Sequence, residues 1–325
     1  MTGRIAILDD YAGIATEVAD WASLGDVTVF RDTLADQDAV IARLRPFEVL
    51  CVMRERTPLP ARILRALPNL RLIVTSGLRN QSIDLETARS LDITVCGTEM
   101  RGSTTPEFVM ASMLALSRRI VPEAGNMAAG GWQTSVGRDL HGLTLGLIGL
   151  GKVGQRVAAL ARPFGMNICA WSHNLTPETA SDHGAERCDS LHALMGASDV
   201  VSVHVLLSDR TRGLIDAAAF AAMRPGAAFL NTSRGPIVDT DALLDGLRAG
   251  RPDAAALDVY ETEPLPPAHP LRDPDLIASG RLLLTPHLAY ASTQTFWMFY
   301  TQMAEAVAAW RAGAPIRVLT GGGAS

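Results

Sequence analysis

Along the chain, short apolar runs rich in Val, Ile and Leu alternate with longer stretches whose apolar positions recur at helical spacing. Strands buried between two helical layers read as continuous apolar runs, so the pattern predicts an α/β fold built on parallel sheets. In the first hundred residues it predicts strands at 4–8, 27–30, 49–53, 72–74 and 94–96, with helices between them. A second, more regular series predicts strands at 144–148, 167–171, 200–203, 228–231, 254–258 and 282–285. The segment dividing the two series reads as one long helix from Thr105 and Pro106, where proline suits a first turn, to Arg118 and Arg119 near its end. After the last strand, 293–312 reads as a helix and 316–319 as a short strand before the glycine-rich tail 321–325.

A length of 325 residues exceeds what one core serves, which agrees with two strand series and two domains. Hydrophobic residues make up 48% and charged residues 19%, the balance of a globular protein. A formal charge of -5 with no concentrated basic segment excludes a nucleic-acid binder. Cys51, Cys96, Cys169 and Cys188 are scattered without a C-x-x-C pair, which argues against a zinc site or a disulfide framework. Residues 1–10 hold an acidic pair where a signal peptide would be apolar, and no uncharged run spans a bilayer, so a cytoplasmic location is expected.

The first strand of the second series, 144–148, runs directly into Gly149-Leu150-Gly151-Lys152-Val153-Gly154 and then a helical pattern. In such a G-x-G-x-x-G turn the first glycine permits the tight turn, the second lets backbone approach a pyrophosphate, and the third lets helix pack on strand. Six strands with this loop predict a complete Rossmann-type cofactor domain over 99–290. It would be inserted into a discontinuous, flavodoxin-like substrate domain made of 1–98 and 291–325, both domains doubly wound. The following strand ends in Trp171-Ser172-His173-Asn174, without the acid that usually holds a ribose 2′-hydroxyl. No arginine follows to embrace a 2′-phosphate, so NAD and NADP both stay open; His173 either faces such a phosphate or lies exposed.

From the glycine loop onward the residues resemble the D-isomer-specific 2-hydroxyacid dehydrogenase family. The matching stretches are 141–154, 211–215, 223–227, 231–239, 256–264 and 286–292. The resemblance implies a nicotinamide-dependent oxidoreductase exchanging a hydride with a 2-hydroxy or 2-keto acid. It assigns Arg234, after a buried strand, to gripping the substrate carboxylate, a task suited to a guanidinium. In Asp258-Val259-Tyr260-Glu261-Thr262-Glu263-Pro264 it selects Glu263 as the catalytic acid and makes Asp258 a contact to the nicotinamide carboxamide. A carboxylate beside an imidazole stabilises its protonated form and fixes its tautomer. The resemblance makes His287 that imidazole, the acid/base that protonates the keto oxygen. Thr211, Thr232 and Ser233 fall in matched stretches near the cofactor, and His204, ending the strand 200–203, would line the nicotinamide site.

On the substrate side, Gly77, Leu78 and Arg79 occupy the place where family members bind the carboxylate with backbone N–H groups, although Arg79 stands near a second glycine of the commoner version. Arg54 resembles a basic residue of the phosphoglycerate branch. With Arg101, these arginines fit a substrate carrying a second anionic group; the other reading leaves Arg79 and Arg101 solvated, with Met100, Trp132, Phe296 and Trp297 forming an apolar wall. The family also implies a homodimer through the helix near Thr105 to Ile120, where Met110, Met113, Leu114 and Leu116 suit an interface or the core. Two other readings compete, and Glu263 argues against the first. A formate dehydrogenase would carry glutamine at the position of Glu263, and a cofactor-sensing protein resembling dehydrogenase-derived corepressors would bind NAD(H) without turnover.

Overall fold

The computed structural model describes residues 3–320, and the tail 321–325 lies outside the described residues. The chain divides into two compact units, one comprising the described residues up to Arg101 with those from Ser292 onward, the other Gly102–Ala291. In the first unit, β1 (Ile5–Ile7), β2 (Val27–Val29), β3 (Val49–Val52), β4 (Leu72–Thr75) and β5 (Thr94–Gly97) form an all-parallel sheet in the order β2-β1-β3-β4-β5. The order reverses between β1 and β3, so their carboxyl ends open a crevice.

In the second unit, β6 (Thr144–Ile148), β7 (Asn167–Trp171), β8 (Glu186–Arg187), β9 (Val200–Val203), β10 (Ala228–Asn231), β11 (Ala254–Leu257) and β12 (Leu282–Leu284) are also parallel. Their order, β12-β11-β10-β9-β6-β7-β8, places the switch point between β6 and β9, as in a Rossmann fold. Separate apolar clusters cover its two faces. One gathers Leu194, Val201, Phe220, Phe229 and Leu247; the other gathers Val109, Met113, Leu145, Val157 and Leu230.

Three expectations need correction. The second sheet has seven strands, because the short β8 follows β7 at the edge. Residues 316–319 form no strand; only an isolated antiparallel bridge joins Cys96 and Val318, and the left-handed backbone of Arg317 (φ 52°) interrupts the run. The helix Thr104–Ser117 stops where Arg119 turns left-handed (φ 54°), and a new helix, Ile120–Ala128, begins. Of the two readings of Met110 and Met113, both side chains lie in the core, and the exposed apolar residues of this region are Ile120, Val121, Met127, Trp132 and Val136. Cys169 is buried on β7, its Sγ 3.5 Å from Ser198 Oγ. No helix among the described residues is long and apolar enough to cross a membrane.

Candidate active site

Every strand of the second sheet from β9 to β12, together with β6 and β7, delivers a marked residue at its carboxyl edge, where doubly wound sheets bind ligands. At the end of β6, Gly149 adopts φ +103°, and a side chain there would press to 2.9 Å from the His204 backbone. A Cβ on Gly154 would fall 2.2 Å from the Gly149 carbonyl oxygen, so the helix Lys152–Ala161 can sit this close only because residue 154 has none. A Cβ on Gly151 would meet nothing within 4 Å. That open space lies at a helix N-terminus whose cap residue, Gly151, has no side chain to bond the first N–H groups; Lys152 and Val153 open the helix.

Two buried polar atoms near this edge have no hydrogen-bond partner among the described residues, His204 Nε2 and Thr232 Oγ1. His204 follows β9, which flanks the switch point, and Thr232 follows the neighbouring β10. Burial pushes the half-buried His204 imidazole down to about 4, so it stands neutral. Open space at a bare helix N-terminus and unpaired polar atoms along the same sheet edge fit a dinucleotide. At the end of β7, Ser172 is half-buried and His173 is exposed, its ring edge-on to Trp171 at 5.0 Å. Thr211 is turned inward: its hydroxyl donates to the Leu206 carbonyl (2.6 Å) and accepts from Ser208 N–H (2.8 Å).

The turn after β10 carries Arg234. Asn231, buried, shapes it: its amide donates to the Arg234 carbonyl (3.0 Å) and its oxygen accepts from Ser233 N–H (3.0 Å). Ser233 Oγ ties the turn to the Val205 carbonyl (2.5 Å), and Arg234 Nη1 donates to the Ser233 carbonyl (2.7 Å). A Cβ on Gly235 would lie 2.0 Å from the Tyr260 carbonyl carbon, so this turn packs directly on the loop that follows β11.

That loop brings Glu263 to His287. His287 Nδ1 lies 2.6 Å from Glu263 Oε2, with the two side chains 13% and 20% exposed. A carboxylate only accepts, so the shared proton sits on Nδ1 and Nε2 is left to exchange protons. The other Glu263 oxygen accepts from Tyr260 N–H (3.0 Å), which fixes the carboxylate in its own loop. Tyr260 in turn bridges β11 and β12, donating to the carbonyls of Leu257 (3.1 Å) and Thr285 (2.9 Å). His287 is held in a left-handed conformation (φ 55°), and its ring meets Tyr290 edge-on at 5.4 Å.

Asp258 braces the same loop. Its carboxylate accepts from Thr285 Oγ1 (2.7 Å), Leu288 N–H (2.7 Å) and Ala289 N–H (2.8 Å). Burial raises its pKa, opposed by these three donors. The sequence pattern expects a cofactor contact here, and both carboxylate oxygens are bonded to the His287 loop. Asn231 and Tyr260 escape sequence reading because they act on backbone groups, Asn231 within its own turn and Tyr260 across to the strand end at Thr285. The only trace was their position inside the matched stretches.

In the first unit, Arg54 follows β3 with φ 54°, and Gly77 follows β4 with φ +84°. Gly77 N–H donates to the buried Thr98 hydroxyl (2.8 Å), whereas Leu78 and Arg79 N–H make no hydrogen bond among the described residues. A Cβ on Gly77 would lie 2.9 Å from Arg54 Nη1, so the guanidinium packs against the glycine. The Arg79 and Arg101 side chains are exposed, as their solvated reading has it.

Known proteins place this geometry. Residues 110–289 match the family model described as D-isomer specific 2-hydroxyacid dehydrogenase, NAD binding domain. The chain is 37% identical over 261 residues to glyoxylate reductase of Aeropyrum pernix, covering 77% of this chain and 76% of that protein. It is 32% identical over 308 residues to D-3-phosphoglycerate dehydrogenase of Archaeoglobus fulgidus, covering 94% of this chain but 57% of that protein, so it spans little more than half that relative's length. Among solved structures, phosphoglycerate oxidoreductase from Vibrio cholerae O395 superposes with a TM-score of 0.89 at 34% identity, covering 96% of this chain and 100% of that one.

Proposed function

The chain belongs to the D-isomer-specific 2-hydroxyacid dehydrogenases, and from that premise we propose that Arg234, Glu263 and His287 carry out its reaction. It is an oxidoreductase that moves a hydride between NAD(H) and a D-2-hydroxy acid or its 2-keto acid. The bound nicotinamide supplies the hydride. The observation that carries the assignment is the 2.6 Å contact between His287 Nδ1 and Glu263 Oε2. With Nδ1–H committed to Glu263, the Nε2 of a protonated His287 donates its proton to the keto oxygen during reduction and takes it back during oxidation. Arg234 holds the substrate carboxylate, and its guanidinium polarises the adjacent carbonyl. The relatives bear the names of reductases and dehydrogenases, so a sensing protein without turnover is not favoured.

For the cofactor, the open end of the helix Lys152–Ala161 takes the pyrophosphate, and His204, Thr232, Ser233, Thr211 and Asp258 border the rest, the last three as supports of neighbouring loops. The absence of a carboxylate at Ser172 and His173 supports acceptance of NADPH beside NADH. On the substrate side, the N–H groups of Leu78 and Arg79 with the Arg54 guanidinium support an anion site in the first unit. A homodimer is supported by the apolar Trp132 and Val136, 77% and 85% exposed beside the helix Ile120–Ala128. Buried free thiols at Cys51 and Cys96 suit a cytoplasmic location.

The test is NADH oxidation across a panel of 2-keto acids, repeated with NADPH. His287→Ala is expected to lower kcat by more than about 100-fold, the scale of general acid/base catalysis, while NADH still binds. Turnover equal to that of the unchanged enzyme refutes the assignment.

A further inference from the structure

Arg54 is a long cation on a backbone conformation that L residues adopt only under constraint, φ 54°, immediately after β3. Its two backbone polar groups are taken by side chains from one neighbouring loop. Arg54 N–H donates to Ser76 Oγ (2.9 Å), and the Arg54 carbonyl accepts from Asn80 Nδ2 (2.6 Å). Asn80 is 8% exposed and fully engaged: Nδ2 also reaches Thr75 Oγ1 (2.9 Å), while Oδ1 accepts from Ser82 N–H (3.0 Å) and Ser82 Oγ (2.6 Å). The amide orientation is fixed by this set, since only its NH2 end serves a carbonyl and only its oxygen serves an N–H. A third tie comes from the segment after β1, where the buried Asp9 accepts from Thr57 Oγ1 (2.8 Å) at the far end of the same turn.

The clamp fixes the backbone from which the guanidinium projects. Nη1 lies at 3.2 Å from Met100 Sδ and against Gly77, the first residue of the loop that carries the unbonded Leu78 and Arg79 N–H groups. An L residue released from φ 54° would relax to a negative φ and swing its side chain away from Gly77. Asn80 thus spans both parts of one anion-binding surface: its own loop supplies N–H donors, and its side chain fixes the cation beside them.

We propose that Asn80 is a positioning residue that, with Ser76, holds Arg54 for the second anionic group of a dianionic 2-keto acid. This rests on the reading of Arg54 and the 77–79 loop as substrate-binding.

The test compares kcat/KM for oxaloacetate with that for 2-oxobutyrate, a monoanion of equal chain length, in the NADH-loaded enzyme. The unchanged enzyme is expected to prefer oxaloacetate, and a preference for 2-oxobutyrate overturns the substrate class. Arg54→Ala is expected to reduce the preference by about tenfold or more, the scale of one charge-assisted contact, through KM rather than kcat. If Arg54→Ala leaves the preference unchanged, the substrate reading of Arg54 itself fails. Asn80→Asp keeps the acceptor that Ser82 uses but removes the donor to Arg54, and is expected to match Arg54→Ala, with no further loss in the double variant. A selective Arg54→Ala beside a silent Asn80→Asp, or fully additive losses, overturns the positioning role alone. Should Asn80→Asp not fold, Ser76→Ala reads the other end of the clamp by the same ratio.

Discussion

His204 shows at one residue how a binding edge is kept ready at a cost. Its Nε2 is buried without a partner among the described residues, and burial lowers its pKa from 6.5 to about 4. Below about pH 6.5 an unfolded chain binds a proton on this imidazole, while the folded chain refuses it until about pH 4. The unfolded state therefore holds the extra proton between these values, and stability must fall as the pH drops through that window. Below about pH 4 both states are protonated and the slope from this group vanishes. The Tm of the cofactor-free protein is accordingly expected to fall less steeply from pH 6.5 to pH 4 in His204→Gln than in the unchanged chain. Parallel Tm curves for the two proteins would show that the ring is protonated in the folded state after all.

At the scale of elements, the glycine loop separates two demands that its sequence motif joins. Gly154 is required by packing, since a Cβ would collide with the Gly149 carbonyl at 2.2 Å, whereas a Cβ on Gly151 enters open space. Gly154→Ala is expected to cost about 1–3 kcal/mol, as overpacking does, and to lower Tm. Gly151→Ala is expected to leave Tm within a degree or so while weakening NADH binding about tenfold or more, because its methyl group occupies the approach to the pyrophosphate. Thermal scans with NADH fluorescence titrations check both, and normal binding by Gly151→Ala removes the loop from the cofactor site. The buried strands were legible because runs such as Thr144–Ile148 are apolar on both faces. The strand Glu186–Arg187 was not, being two charged residues at an edge. The run 316–319 misled because alternation alone does not reveal that Arg317 turns left-handed to reach the Gly97 and Gln302 carbonyls. Arg234, Glu263 and His287 stood out by position in ordered motifs. Asn231, Tyr260 and Asn80 did not, because what they do is bond backbone groups, some in their own turn and some, such as the Thr285 and Arg54 carbonyls, on another loop, and residue spacing records neither a turn's direction nor which loops meet.

For the whole molecule, the two units differ in continuity. The first needs both ends of the chain: the helix Thr293–Arg311 packs on β4, and Tyr300 donates to the buried Asp10 (2.9 Å). The second, Gly102–Ala291, is one uninterrupted stretch with apolar clusters on both faces of its sheet, and it holds every residue proposed for the cofactor. A segment with its own core and no strand borrowed from elsewhere meets the physical requirement for folding alone. The excised stretch 102–291 is therefore expected to unfold cooperatively and to bind NADH. Its Tm should rise with NADH concentration, since a ligand that binds only the folded state stabilises it by mass action. Keto-acid turnover should be lost, because Arg54 and the N–H groups of Leu78 and Arg79 are left behind. A fragment that folds yet shows no NADH-dependent rise in Tm would mean that residues outside 102–291 hold the cofactor. Full turnover by the same fragment would mean that the first unit contributes nothing to substrate binding.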